Sequence, residues 1–100
     1  MPPEEIADLL RFAARERDRQ QDEREALESL TPREVQVLQL LAEGLGSQAV
    51  ANRLFISPRT ERNHVANILT KLNVHSRLQA LLLALRYGVV EARRPDEQRR

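Results

Sequence analysis

The chain has 100 residues, room for one domain and a tail, and its 41% apolar content supports a small core. Aromatic residues make up only 3% and cysteine is absent, so the core must be aliphatic, and disulfides and thiolate metal sites are excluded. The net charge of +1 hides a division: residues 1–30 carry −4, residues 31–90 carry +4 and residues 91–100 carry +1.

A basic module behind an acidic segment suits an anionic partner such as double-stranded DNA. No apolar run approaches a membrane span, and the start of the chain lacks a basic, greasy leader. The pattern predicts a cytoplasmic protein with no membrane partner.

Pro2-Pro3 followed by Glu4-Glu5 is a helix start, with prolines early and acids near the positive end of the dipole. Ile6, Leu9, Leu10 and Ala13 make one apolar stripe at helical spacing. Arg15 to Glu25 contains no apolar residue, nor any Gly, Pro or β-branched residue. That stretch can be helical, but without apolar side chains it is expected to be a solvated linker helix that buries no face. Residues 1–29 are therefore read as an acidic linker helix. Removing residues 1–28 is expected to leave the rest folded and to raise non-specific DNA affinity at low salt, because repulsion between acids and phosphates is lost.

Thr31-Pro32-Arg33-Glu34 is a capping box: Thr31 can accept from the Glu34 amide, Glu34 can reach back, and Pro32 suits the first helical position. Val35, Leu38, Leu41 and Ala42 predict the buried face of this helix, which Gly44 ends in a left-handed conformation. Gly46 or Ser47 caps the next helix, whose inner face is Val50, Ala51 and Leu54. Phe55-Ile56 is a tight apolar connector. Ser57 caps a helix over 58–72, with Pro58 in first position.

The inner stripe of that helix is Glu61, Val65, Ile68, Leu69 and Leu72. Its opposite face presents Arg59, Arg62, Asn63, Ala66, Asn67 and Thr70. Arg and Asn make paired hydrogen bonds to guanine and adenine edges, and a small residue between them lets a helix sit deep in a groove. A solvated helix face also carries such residues, so this composition alone leaves both readings open.

A last helix runs over 76–87 and is ended by Gly88. Leu78, Ala80, Leu81, Leu82, Leu83, Ala84 and Leu85 wrap most of its circumference, so one face must pack inward and another meets a partner. Residues 91–100 are charged, contain Pro95 and lack apolar periodicity, which reads as a disordered tail. His64 and His75 stand eleven positions apart and read as structural histidines; no metal or cofactor is expected. No nucleophile–base arrangement, phosphate-cradling glycine loop or carboxylate pair occurs, so no enzyme is read.

Five stretches then fall into a familiar order: Leu30-Thr-Pro-Arg-Glu34, Leu40-Leu-Ala-Glu-Gly-Leu45, Ala51-Asn-Arg-Leu-Phe-Ile-Ser-Pro-Arg-Thr60, Asn63-His-Val-Ala-Asn-Ile-Leu69 and Lys71-Leu-Asn-Val-His-Ser-Arg77. Together they resemble the LuxR-type helix-turn-helix of bacterial transcription regulators. The resemblance implies an all-α fold: a four-helix helix-turn-helix bundle over 30–90, here with an N-terminal linker helix. Its third helix would enter the major groove and its fourth would form a two-fold dimer.

Carried over residue by residue, the resemblance assigns base reading to Arg62, Asn63 and Ala66. It assigns phosphate contacts to Thr60, Asn67 and Lys71, with help from the helix start at Ser47; Arg59 sits where a phosphate or groove edge can be reached. Inward Ala80 and Ala84 would leave Leu78, Leu82 and Leu85 as the dimer stripe. The acidic start looks like the linker behind a receiver domain in response regulators of the NarL/FixJ type, with RNA polymerase as a further partner; a free-standing short regulator is the other reading. A competing function is a protein-interaction module that docks through its leucine-rich last helix.

Two departures stand out. Glu61 occupies a place that is usually aliphatic, and a buried unpaired carboxylate is costly; it must lie at the rim or pair with an arginine. Gly46, Ser47 and Ala49 replace the usual Ser-Asn start and following Glu of the second helix, so one helix-start interaction is missing.

Overall fold

Four of the five helices end in the same way, and those ends define the architecture. In the computed structural model, which describes residues 1–92, the helices are α1 (Pro3–Glu28), α2 (Pro32–Ala42), α3 (Ser47–Leu54), α4 (Pro58–Leu72) and α5 (Arg77–Arg86), and no strand occurs among the described residues. After α2, Gly44 takes φ 92° and the Leu45 amide donates back to the Leu40 carbonyl at 3.2 Å. After α5, Gly88 takes φ 72° and Val89 donates to Ala84 at 2.8 Å. Asn73 plays the same part after α4, and Phe55 after α3, with φ 54° and 57°. These left-handed caps satisfy carbonyls that a helix end leaves unpaired and reverse the chain sharply.

Side-chain caps fix the starts. The capping box forms as predicted: the Glu34 amide donates to Thr31 Oγ1 at 3.1 Å and the Thr31 amide donates to Glu34 Oε1 at 2.8 Å. Leu30 and Val35 join the same apolar cluster, in the places of a hydrophobic staple around that cap. Ser57 and Ser76 accept from the amides of Thr60 and Gln79. Gly46 caps α3 with no side-chain bond, and Ser47 is the first helical residue.

The core joins Val37 and Leu38 of α2, Val50 and Ala51 of α3, Val65, Ile68 and Leu72 of α4, and Ala80, Leu83 and Ala84 of α5, with Val90 closing it. The buried face of α2 is rotated from the predicted one. Val37 is fully buried while Val35, Leu41 and Ala42 are half-buried, because Glu34 turns inward and brings the 34–37–38 side of the helix with it. The small residues Ala80 and Ala84 let α5 lie close against the bundle.

Three expectations are corrected. α1 ends at Glu28 but does not stay solvated to its end: Leu27, in its last turn, is 5% exposed and belongs to the core cluster. The polar stretch before it also docks, through the Tyr87 hydroxyl, which donates to Glu23 Oε1 at 2.6 Å, and Arg24, whose guanidinium lies 5.4 Å from the Tyr87 ring centre. That bond to Glu23, together with burial, pushes the Tyr87 pKa up. No residue before Leu27 is buried, so the amino-terminal half of α1, with Ile6, Leu9, Leu10 and Phe12 exposed, stands off the bundle. Phe55 is no packed connector: as a left-handed cap it points outward and is 95% exposed.

The tail expected at 91–100 lies outside the described residues from 93 onward; Glu91 is held by Gln39, which donates to its carbonyl and accepts from its amide.

Candidate nucleic-acid interface

α4 presents two unlike faces. Glu61, Val65, Ile68 and Leu72 are buried, a spacing of 4, 3 and 4 residues that follows the helical period along one side. The other side carries Arg59, Thr60, Arg62, Asn63, Ala66, Asn67 and Thr70, all exposed. Because the inner side is packed into the core, the outer side is held at a fixed angle to the bundle.

Among the described residues, Arg59, Arg62, Asn63 and Asn67 make no side-chain hydrogen bond or ion pair. Two guanidiniums and two amides thus stand on one helix face with their donors and acceptors unspent. The other polar groups of that face are engaged locally. Thr60 Oγ1 accepts from the Ser57 hydroxyl at 3.0 Å, and the Thr70 hydroxyl donates to the Ala66 carbonyl at 3.1 Å. Ala66 itself is exposed, a shallow place between Arg62 and Asn67.

Lys71, to which the resemblance assigns a phosphate contact, holds its ammonium 2.7 Å from Glu34 Oε1 and 3.4 Å from the Ser29 carbonyl. Burial of Glu34 would push its pKa up; the bonds from Lys71 and the Thr31 amide, with the Lys71 charge, outweigh that and hold the carboxyl below its usual range. The ammonium, itself partly exposed, joins α4 to the start of α2.

Glu61 resolves as a pair rather than a rim residue. It is 0% exposed, and the Arg77 guanidinium lies 3.3 Å from its Oε1. The pair is within ionic reach but not aligned as a hydrogen bond, and neither Glu61 oxygen has a hydrogen-bond partner. The same Arg77 nitrogen donates to the Ser47 hydroxyl at the start of α3. Arg77, absent from the predicted site, therefore links the starts of α3 and α5 to the buried side of α4. Its partners lie 30 and 16 positions away, beyond the reach of local patterning.

On α5, Leu78, Leu82 and Leu85 are exposed along one side, opposite Ala80 and Ala84. His64 is half-buried and His75 exposed, and no cluster of three or more metal-capable side chains occurs among the described residues. No helix among them is long and apolar enough to cross a membrane.

Residues 28–84 match the family described as bacterial regulatory proteins, luxR family. The chain is 38% identical over 107 residues to the transcriptional regulatory protein YxjL of Bacillus subtilis, itself described as uncharacterized; the match covers 89% of this chain and 49% of that one. Its fold is similar to that of the transcription factor GerE, with a TM-score of 0.61, 39% identity and coverage of 64% of this chain and 96% of the other. It is also similar to full-length FixJ from B. japonicum, with a TM-score of 0.62, 37% identity and coverage of 79% and 39%. The chain spans about half the length of the regulator it matches in Bacillus subtilis.

Proposed function

Because the chain belongs to the luxR family of bacterial regulatory proteins, a family of DNA-binding transcription regulators, we propose that it reads double-stranded DNA with α4 in the major groove. The observation that carries this reading is the outer face of α4, where two arginines and two asparagines stand exposed and unpartnered. Arg62, Asn63 and Ala66 read base edges, Arg62 a guanine and Asn63 an adenine, with Ala66 admitting the helix. Arg59, Thr60 and Asn67 meet phosphates. Ser47 joins them: its oxygen accepts from Arg77, leaving its own proton to donate. Lys71 is left out, since its charge is spent on Glu34.

Arg62→Ala should cost about 1–3 kcal/mol on the preferred site and relax preference at one base pair. The check is fluorescence anisotropy against a duplex selected from a random pool, repeated with each base at the affected position. Unchanged affinity and unchanged preference together would remove α4 from the groove.

The exposed stripe Leu78, Leu82 and Leu85 pairs with a second copy about a two-fold axis, and this docking, rather than a role as a general interaction module, uses the apolar side of α5. The DNA site is then a pair of inverted half-sites about 10 base pairs apart, centre to centre. Leu82→Arg sets like charges against each other across the axis without touching the core, so sedimentation should report monomer at concentrations where the parent chain dimerises, with an unchanged melting temperature. Equal dimer fractions in both would move the interface elsewhere. A receiver domain in line with α1, contact with RNA polymerase, a cytoplasmic location and the lack of any enzymatic activity belong to the same proposal.

A further inference from the structure

We infer that Glu61 is a charge brake on DNA binding: from behind α4 it neutralises Arg77 and holds that guanidinium on Ser47, so that one cation beside the phosphate-contacting edge is withheld from the DNA. The inference rests on the proposed reading of α4 and Ser47.

Glu61 is the anomaly that calls for an account. An aliphatic side chain would fill the same buried place on the inner side of α4 without desolvating a charge. The carboxylate instead sits at 0% exposure with neither oxygen hydrogen-bonded, and among the described residues the cation paired with it is Arg77 at 3.3 Å. Burial of this kind is poor evidence of stabilisation. The Arg77 side chain is 38% exposed and reaches the amino end of α3 through the Ser47 hydroxyl. A guanidinium carries five donors in a planar fork, and the described contacts of Arg77 use one nitrogen. With its charge uncompensated, such a group beside Ser47 is a phosphate ligand. Compensated by a buried carboxylate 3.3 Å away, it adds little net field outside.

Residues 31–90 carry three acids, and two of them are used in this way, Glu34 against Lys71 and Glu61 against Arg77. The cations left unpaired on α4 are Arg59 and Arg62. Phosphate contacts raise affinity for every sequence equally, whereas base contacts discriminate. Withholding Arg77 therefore lowers non-specific binding and leaves discrimination to Arg62 and Asn63.

The test is the salt dependence of binding to a fluorescein-labelled duplex of random sequence, measured for the full chain, for Glu61→Val and for Glu61→Gln, with melting curves to identify the folded variants. Releasing one cation to a phosphate should steepen the plot of log K against log [salt] by about 0.9, with severalfold tighter binding at low salt that converges on the parent at high salt. Adding Arg77→Met to Glu61→Val should return the slope to that of the parent. A merely structural role for Glu61 would change melting and leave the slope alone. An unchanged slope in whichever Glu61 variant folds overturns the inference, as does a steeper slope that survives Arg77→Met. Failure of the parent chain to bind DNA at all would instead overturn the reading of α4 itself.

Discussion

Replacing Leu27 with alanine is expected to destabilise the protein by about 2–5 kcal/mol, the range for emptying a well-packed aliphatic site. Leu27 is 5% exposed and, with Leu30, brackets the turn between α1 and α2. For a bundle of some 60 residues the whole stability is about 3–9 kcal/mol, so this one side chain carries much of it. Removing residues 1–28 deletes Leu27 together with Glu23, the partner of the Tyr87 hydroxyl. The fragment 29–100 should therefore melt far below the full chain or fail to fold, contrary to what its polar sequence suggests. Removing residues 1–14 takes away only side chains that are not buried and should leave melting unchanged. Urea unfolding of the three chains separates the cases. Equal stability of the full chain and 29–100 would mean that the docked end of α1 contributes nothing.

Why α1 misleads a reader of sequence is physical. Periodicity needs several apolar residues, and between Arg15 and Glu25 there are none, so nothing local signals that the helix is about to enter the core. Ala26 and Leu27 are two residues, too few to make a stripe. What attaches the preceding turn is polar, Glu23 to Tyr87 across 64 positions. The same limit hid the pairing of Lys71 with Glu34, 37 positions away, and the Arg77 link to Ser47. By contrast, Thr31-Pro32-Arg33-Glu34 and Ser57-Pro58 could be read directly, because a cap is made within four residues. The two faces of α4 could be read because fifteen residues give four turns of period. That Glu61 must either lie at the rim or pair with an arginine followed from the cost of burying a carboxylate; which of the two, and which arginine, did not.

Lys71→Met is expected to cost about 2–4 kcal/mol at pH 7, somewhat less than the loss of a partner from a fully buried pair because Lys71 is itself 34% exposed on its side chain. The substitution keeps the apolar stem and removes the charge that compensates Glu34, leaving a buried carboxylate held only by the Thr31 amide. The pH dependence identifies the cause. In the parent chain, against the opposing effect of burial, Lys71 and the Thr31 amide hold the folded Glu34 carboxyl below the usual carboxylate range. A group depressed in this way contributes stability above its unfolded pKa, and that contribution is lost as pH falls through the folded value. Without Lys71 the hydrogen bond and the favourable charge vanish while burial remains, so the folded pKa must rise relative to the parent. The stability gap between the two chains should consequently be widest near neutral pH and close as pH falls through the carboxylate range. Glu34→Gln should remove this part of the acid sensitivity altogether, and in that background Lys71→Met should cost far less than it does alone. Chemical denaturation of the four chains at pH 7 and near pH 4 supplies the measurement. A gap between parent and Lys71→Met that stays the same at both pH values would show that Lys71 stabilises through its packed stem and not through the Glu34 carboxylate.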